Sequence, residues 1–451
     1  MNWLSYLPAF AVLLGIVVVI HELGHYWVAK WCGVKVLRFS VGFGKPILSK
    51  RYGPDQTEWA LGAFPLGGYV KMLDEREAPV TQPEQHRAFN RQSVAKRIAI
   101  VVAGPLANLL LAILLFWGLF IVGMPGAQPI LGDISKGSAA HSAGFVNGEK
   151  IVAVDGEPLK TWHEVGWAFT TRLMSQQSIA VTTEDSAGQR RERILEPQGI
   201  TDQDLESDVL GKLGLNRVRP GVQIVEVIAA SPALRAGFAA GDEILSIERQ
   251  PITGGVQQFI GIIQVNVAKP LQVDVKRGAT VIRLTVTPEA APGRTAKAGA
   301  IGAKVGEVDR PEFRTVASYP PILGLTKAID KTWDMSWLSL KSLWRMLVGD
   351  MSIKNLSGPV TIANYAGQTA QMGLIQFISF VAVISISLGI LNLLPIPLLD
   401  GGHLMYYIAE IIKGSPVSEK IMEAGQQLGL ALLIGLMVIA FYNDINRLIT
   451  G

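Results

Sequence analysis

At 451 residues, with 49% hydrophobic and only 17% charged residues and a mean hydropathy of +0.32, the chain is long enough for several domains and too apolar for a water-soluble enzyme. Its formal net charge of +4 includes no concentrated basic block, which argues against nucleic acid as a partner. Cys32 is the sole cysteine, so an internal disulfide and a thiolate metal cluster are both excluded.

Four uncharged stretches reach the ~20 residues that a helix needs to cross hydrocarbon. They are residues 1–20 continuing to about 29, residues 98–124, residues 372–399 and residues 424–443. The first span, assigned to residues 1–30, carries no charge before His21-Glu22-Leu23-Gly24-His25. Residues four apart share a helix face, so His21 and His25 can point ring nitrogens at one metal while Glu22 takes a proton from water beside them. Ionisable groups are costly in a bilayer and need a functional reason to persist there. The alternative is a chance five-residue match in which both histidines are simply packed. The span lacks a basic leader and a small-x-small cleavage site, so a retained helix is expected rather than a cleaved signal peptide. Cys32, seven residues past His25, reads as a free thiol at a packed helix end.

Residues 31–93 change character, with glycines at 42, 44, 53, 62, 67 and 68 among alternating strand-like segments. They are expected to form a small β-sheet dipping into the membrane toward the active site. A substrate that is itself a transmembrane helix hides its scissile amides in its own hydrogen bonds, so it must be unwound, and an exposed strand edge can hold the extended form. Gly42-Phe43-Gly44 suits such a close backbone approach and is the candidate substrate-binding element. The competing reading is an ordinary cytoplasmic hairpin domain. The second span, in residues 94–125, contains Gly104-Pro105-Leu106-Ala107-Asn108. Its small residues permit close helix packing, and Asn108 must find a polar partner, either as glue between helices or at the site.

Residues 126–217 and 218–308 have the composition of water-soluble α/β domains and repeat one another. Ser138-Ala-Ala-His-Ser-Ala143-Gly144-Phe145 with Gly148 recurs 93 positions later (138 to 231) as Ser231-Pro-Ala-Leu-Arg-Ala236-Gly237-Phe238 with Gly241. Each unit resembles a PDZ domain, a module that captures peptide termini by strand addition; the other reading is a spacer that limits access. Residues 309–371 are expected to hold interfacial amphipathic helices, because Trp333, Trp337, Leu340, Trp344 and Leu347 share one helical face. The third span occupies residues 372–402 and ends in Asn392-Leu-Leu-Pro395-Ile-Pro397-Leu-Leu-Asp400-Gly401-Gly402-His403. A cytoplasmic loop over 403–423 and a fourth span with the C-terminal tail over 424–451 complete the chain. The fourth span, bare of ionisable residues between 424 and 443, reads as structural.

A catalytic zinc takes three protein ligands and keeps one position open for water. Asp400 is the expected third ligand, with His403 as its rival. Asn392, two helical turns before Asp400, either donates to bound substrate or makes an interhelical hydrogen bond. The first connection, residues 30–97, holds twelve Lys and Arg against six Asp and Glu, while residues 132–354 hold 26 against 25. By the positive-inside rule that connection is cytoplasmic, and four spans then place the large middle region outside. His21 lies about 18 residues into its helix, roughly 27 Å at the helical rise, so it approaches the cytoplasmic side. The third span enters from the same side as the first, which puts Asp400 in the leaflet of the two histidines.

Together, the HELGH motif in a first span, the following Gly-Phe-Gly, the tandem PDZ-like repeats, Ser357-Gly358-Pro359-Val360 and the Asn392 to Gly402 motif resemble the site-2 protease family of intramembrane zinc metalloproteases. That resemblance covers nearly the whole chain. It implies a multi-pass bacterial inner-membrane protein with four transmembrane helices, a membrane-associated β-sheet and two tandem PDZ-like domains in the periplasm. It also implies that His21, His25 and Asp400 bind zinc, that Glu22 activates water, and that Asn392 helps hold substrate. The implied substrates are single-pass membrane proteins, an anti-sigma factor or remnant signal peptides, reached within membrane lipid. Two rivals differ in what they ask of the residues. A PDZ-bearing scaffold or chaperone has no use for the histidines, and a metal transporter wants ionisable groups on several spans. A serine protease lacks its nucleophile motif here.

Overall fold

The computed structural model describes residues 6–173, 178–196, 209–290, 298–308, 310–349 and 357–450. The chain divides into two compact units, one holding residues up to Met124 and from Ser318 onward, the other Pro125–Ala317.

In the first unit, four helices are long and apolar enough to cross a membrane: Leu7–Trp31, Val94–Val122, Leu374–Leu393 and a fourth within Glu419–Thr450. They are apolar on every side. Leu106, Leu110 and Leu114 of the second helix and Ile434 of the fourth are each about half exposed, and Leu428 is more so, and such faces are stable against hydrocarbon. The first span stops at Cys32 and Gly33, whose φ of +83° is the left-handed conformation that ends helices. The second begins at Ser93, whose hydroxyl accepts from the Lys96 N–H, and carries Pro105 inside it.

The third span differs from expectation at its end. Its helix closes at Leu393, because Pro395 and Pro397 cannot continue it and Leu398 turns the chain at a φ of +91°. Asp400 therefore does not terminate the span. It opens a separate helix, Asp400–Lys413, so most of the segment expected as a loop is helical. Gly401 and Gly402 lie against the backbone carbonyls of Leu394 and Ile396, and a side chain at either would collide with them. The fourth helix is also longer than the uncharged stretch and contains Asp444, which is 1% exposed. Its carboxylate accepts from the backbone N–H groups of Gly358, Val360 and Thr361 at 2.9 to 3.1 Å, capping the helix Pro359–Met372. A hydrophobic run alone gave no hint of this carboxylate. Leu356, which leads into that motif, lies outside the described residues.

Two long strands, β1 (Val36–Tyr52) and β2 (Thr57–Met72), fold on each other twice. Residues 36–41 pair with 58–61 on one side and with 68–72 on the other, while 46–52 pair with 57–62. The result is a four-ribbon sheet in the spatial order 46–52, 57–62, 36–41 and 68–72, whose last ribbon has no strand partner on its outer side among the described residues. Phe39 packs on Trp59 with the rings tilted and their centroids 4.6 Å apart and joins Tyr26, Ala29 and Ile100 in one apolar cluster, so the sheet is seated on the ends of the first two spans. The helix Pro321–Val348 exposes Trp333, Trp337, Leu340 and Trp344, while the side chain of Leu347 is outside the described set. Trp117 Nε1 donates to the Pro321 carbonyl at 2.8 Å, fixing this helix to the second span.

The second unit contains two tandem α/β halves, each with its own sheet and core, the first around Phe169 and the second around Phe259. The repeat holds in detail. Ser138 and Ser231 each cap a four-residue helix, and Gly144 and Gly237 turn at φ +79° and +85°. Phe145 and Phe238 then enter the two cores. The acid after each second glycine is buried and paired: Glu149 with Arg193 at 2.8 Å, Asp242 with Arg277 at 2.6 Å. The Arg277 guanidinium holds the Asp242 carboxyl below the usual carboxylate range.

Candidate active site

The site is built on the packing of the first two spans. His21 and His25 sit one turn apart with rings edge-on, centroids 4.8 Å apart, and Nε2 atoms separated by 3.2 Å. Both are buried, at 7% and 8% exposure. Behind them the second span presents Ile100, Gly104 and Asn108, which four-residue spacing places on one helix face. His25 Nδ1 donates to the Ile100 carbonyl at 2.8 Å, and Asn108 Nδ2 lies 3.3 Å from His21 Nδ1. Gly104 is the floor between them. A Cβ there would overlap the His25 ring and come within 2.9 Å of His21 Cε1. Gly24 is likewise pressed on the Ala103 backbone, so the two helices approach as closely as they do because neither has a side chain at the crossing.

Asp400 arrives from the third span's broken end. Its Oδ2 lies 3.2 Å from His21 Nε2 and 3.5 Å from His25 Nε2. Ligand atoms of His21, His25 and Asp400 all fall within 4.8 Å of one another. Asp400 Oδ2 is buried and takes no hydrogen bond from the described residues. Two ring nitrogens converging on a carboxylate oxygen that lacks a donor form a set that a divalent cation satisfies, and an N, N, O set leaves a fourth tetrahedral position open. The helix bearing Asp400 is pinned at its far end. Arg97, at the start of the second span, donates to both oxygens of Glu410 at 3.1 and 2.7 Å and covers the Tyr407 ring at 4.9 Å.

Glu22 is buried at 8% exposure beside the edge ribbon, where a Cβ on Gly68 would stand 3.0 Å from its Cγ. Asn392 Nδ2 lies 3.5 Å from His21 Nε2, on the side that faces Asp400. His403, the rival ligand, is not in the convergent group; its ring is 6.5 Å edge-on from Tyr406. Gly42 and Gly44 have φ of +87° and +88° and are used within the hairpin itself. A Cβ on Gly42 would meet the Phe64 carbonyl at 2.7 Å, so the close approach they permit is to their own partner strand. Phe43 between them is 47% exposed and lies parallel to Tyr69, centroids 6.2 Å apart. Sequence reasoning did not find the Ile100 carbonyl or the Arg97 to Glu410 pair. The first was legible in the spacing of 100, 104 and 108; the second joins residues 313 apart and leaves no local pattern.

The chain is similar to known proteins along nearly its whole length. The model of peptidase family M50 matches residues 9–436. The regulator of sigma-E protease RseP of Escherichia coli (strain K12) is 38% identical over 451 residues, covering 99% of this chain and 100% of that one. The protein of the same name in Salmonella typhimurium is 38% identical over 447 residues, 98% of each. A protein of Xylella fastidiosa with zinc metalloprotease in its name is 40% identical over 436 residues, 95% of this chain and 96% of that one. Among solved structures, the PDZ domain of the SdrC-like protein from Listeria monocytogenes aligns at 22% identity and a TM-score of 0.18. It covers 20% of this chain and 93% of that one.

Proposed function

The chain belongs to peptidase family M50 and is a membrane-embedded zinc metalloprotease, and from that premise we propose that it hydrolyses transmembrane segments of single-pass membrane proteins at His21, Glu22, His25 and Asp400. The observation that carries this reading is the convergence of His21, His25 and Asp400 within 4.8 Å, with Glu22 buried alongside.

His21, His25 and Asp400 would hold the zinc, which supplies a Lewis acid that lowers the pKa of a coordinated water toward ~7. Glu22 receives the proton of the attacking water and returns it to the departing amine, so the carboxylate ends the cycle as it began. Asn392, 3.5 Å from His21 Nε2, is placed to donate to the scissile carbonyl. Substrate lies extended along the open edge at residues 68–72, which passes beside Glu22 and offers unpaired backbone groups. Gly42, Phe43 and Gly44 then support this edge from behind, with the exposed Phe43 ring contacting substrate side chains. The polypeptide so held is an anti-sigma factor or a remnant signal peptide, and the word sigma-E in the names of the RseP relatives supports the first. Positive charge between the first two spans orients the protein in an inner membrane with the site toward the cytoplasm and the two PDZ-like halves in the periplasm.

The test separates binding from chemistry. Glu22→Gln is expected to retain stoichiometric zinc and to lose cleavage of a model single-pass substrate by about 10²- to 10⁴-fold, the usual scale for a general base. Undiminished cleavage by that variant removes Glu22 from the reaction.

A further inference from the structure

We infer that Asn108 is a positioning residue that fixes the tautomer of His21, accepting the Nδ1 proton so that the Nε2 lone pair is presented to the metal. This inference rests on the metal-site reading above and assigns a role inside it.

The two imidazoles meet the second span through the nitrogen that faces away from Asp400. For His25 the partner at Nδ1 is a backbone carbonyl, an acceptor only, which forces the proton onto Nδ1 and leaves Nε2 bare. For His21 the partner is the Asn108 amide, which can donate or accept. The Nδ2 end lies nearest Nδ1, at 3.3 Å, and a half-turn of the amide about its last torsion exchanges it with Oδ1; whichever end meets Nδ1 sets the ring. If Nδ2 donates there, His21 carries its proton on Nε2 and directs it at Asp400 Oδ2, 3.2 Å away. If Oδ1 accepts there, Nε2 is free to ligate. Only the second arrangement suits a metal, and the Asn108 Oδ1 needed for it is buried without any hydrogen-bond partner.

The residue is placed for that task. Asn108 has 0% exposure, so no water competes for Nδ1. Its backbone carbonyl accepts from Ser385 Oγ at 2.8 Å, and Gly389 packs against its Cβ, so the third span locks this turn of the second. A helix position four residues past the Gly104 floor is as far as Ile100 lies before it. The second span thus offers one partner to each ring from opposite ends of a single face, a carbonyl to His25 and an amide to His21.

The experiment uses full-length protein in detergent in the Glu22→Gln background, with zinc affinity measured by competition against a chromophoric chelator. Asn108→Leu, which fills the space without polar atoms, is expected to weaken zinc binding about 10- to 100-fold, the usual loss when the partner of a ligating histidine is removed. Asn108→Asp can accept and cannot donate, and it is expected to bind zinc at least as tightly as the parent. A loosening by Asn108→Asp overturns the inference without reference to the leucine variant, as does unchanged affinity in a folded Asn108→Leu protein. A merely structural Asn108 would lower the thermal midpoint of zinc-stripped protein and leave the affinity of the folded fraction alone. If the parent itself takes up no zinc, the metal-site reading fails and this inference goes with it.

Discussion

At the scale of single residues, the site depends as much on an absent side chain as on those present. Gly104 lets the second span lie flat under both imidazoles, and no rotamer of an added methyl group avoids the His25 ring, because Cβ itself is the colliding atom. Gly104→Ala is therefore expected to force the first two spans apart or turn the rings. Either outcome lowers zinc occupancy of purified protein well below one per chain while the protein still folds. Elemental analysis of the variant beside Glu22→Gln checks this, and full occupancy would mean the rings have room that the structure does not show. Asp400 and the two histidines were legible in sequence because each interrupts an apolar run with a group whose burial needs a reason. The role of Asn108 was left open, since a lone amide in a span is as readily glue as support.

At the scale of elements, the helix Asp400–Lys413 is the piece whose position decides whether the third ligand is in reach. Its first turn is set by the Pro395 and Pro397 break and its third by the buried pair of Arg97 and Glu410, about 12% exposed on each side. Removing one partner of such a pair leaves the other charge uncompensated, at a cost of about 3 kcal/mol. Arg97→Ala is expected to lower the thermal midpoint in detergent and to reduce activity together, whereas Arg97→Leu with Glu410→Leu should recover much of the stability. A single variant as stable as the parent would show the pair to be dispensable. The sequence reading treated this region as the tail of a span followed by a loop. Proline told correctly where helix stops, but the restart at Asp400 is a tertiary effect. Gly401 and Gly402 allow the chain to double back on Leu394 and Ile396, and hydropathy does not register that. The repeat at 138 and 231, by contrast, was legible down to its turns, because serine caps and left-handed glycines are local chemistry.

At the scale of the whole molecule, apolar length and charge asymmetry carry the topology. Pro54, exposed in the turn between β1 and β2, and Ala187, exposed in the first PDZ-like half, belong on opposite sides of the bilayer if the basic first connection is retained inside. Cysteines placed singly at these positions, in protein whose Cys32 is replaced by serine, provide the check. The one at 187 is expected to react with a membrane-impermeant maleimide added to cells with a permeabilised outer membrane. The one at 54 is expected to react only after lysis, and equal labelling of both before lysis would reverse or abolish the proposed orientation. The β-sheet was foreseen as an element. Its double pairing was not, because one strand bonding to two stretches of another depends on the bulges that break register between residues 36 and 48.

The proposed ligand set joins residues 21 and 25 to residue 400 of a 451-residue chain. A nascent polypeptide leaving the ribosome therefore carries its two histidines through most of translation without the carboxylate that completes them. With those three residues as the ligands, the enzyme would stay inert until the end of its chain is made and inserted.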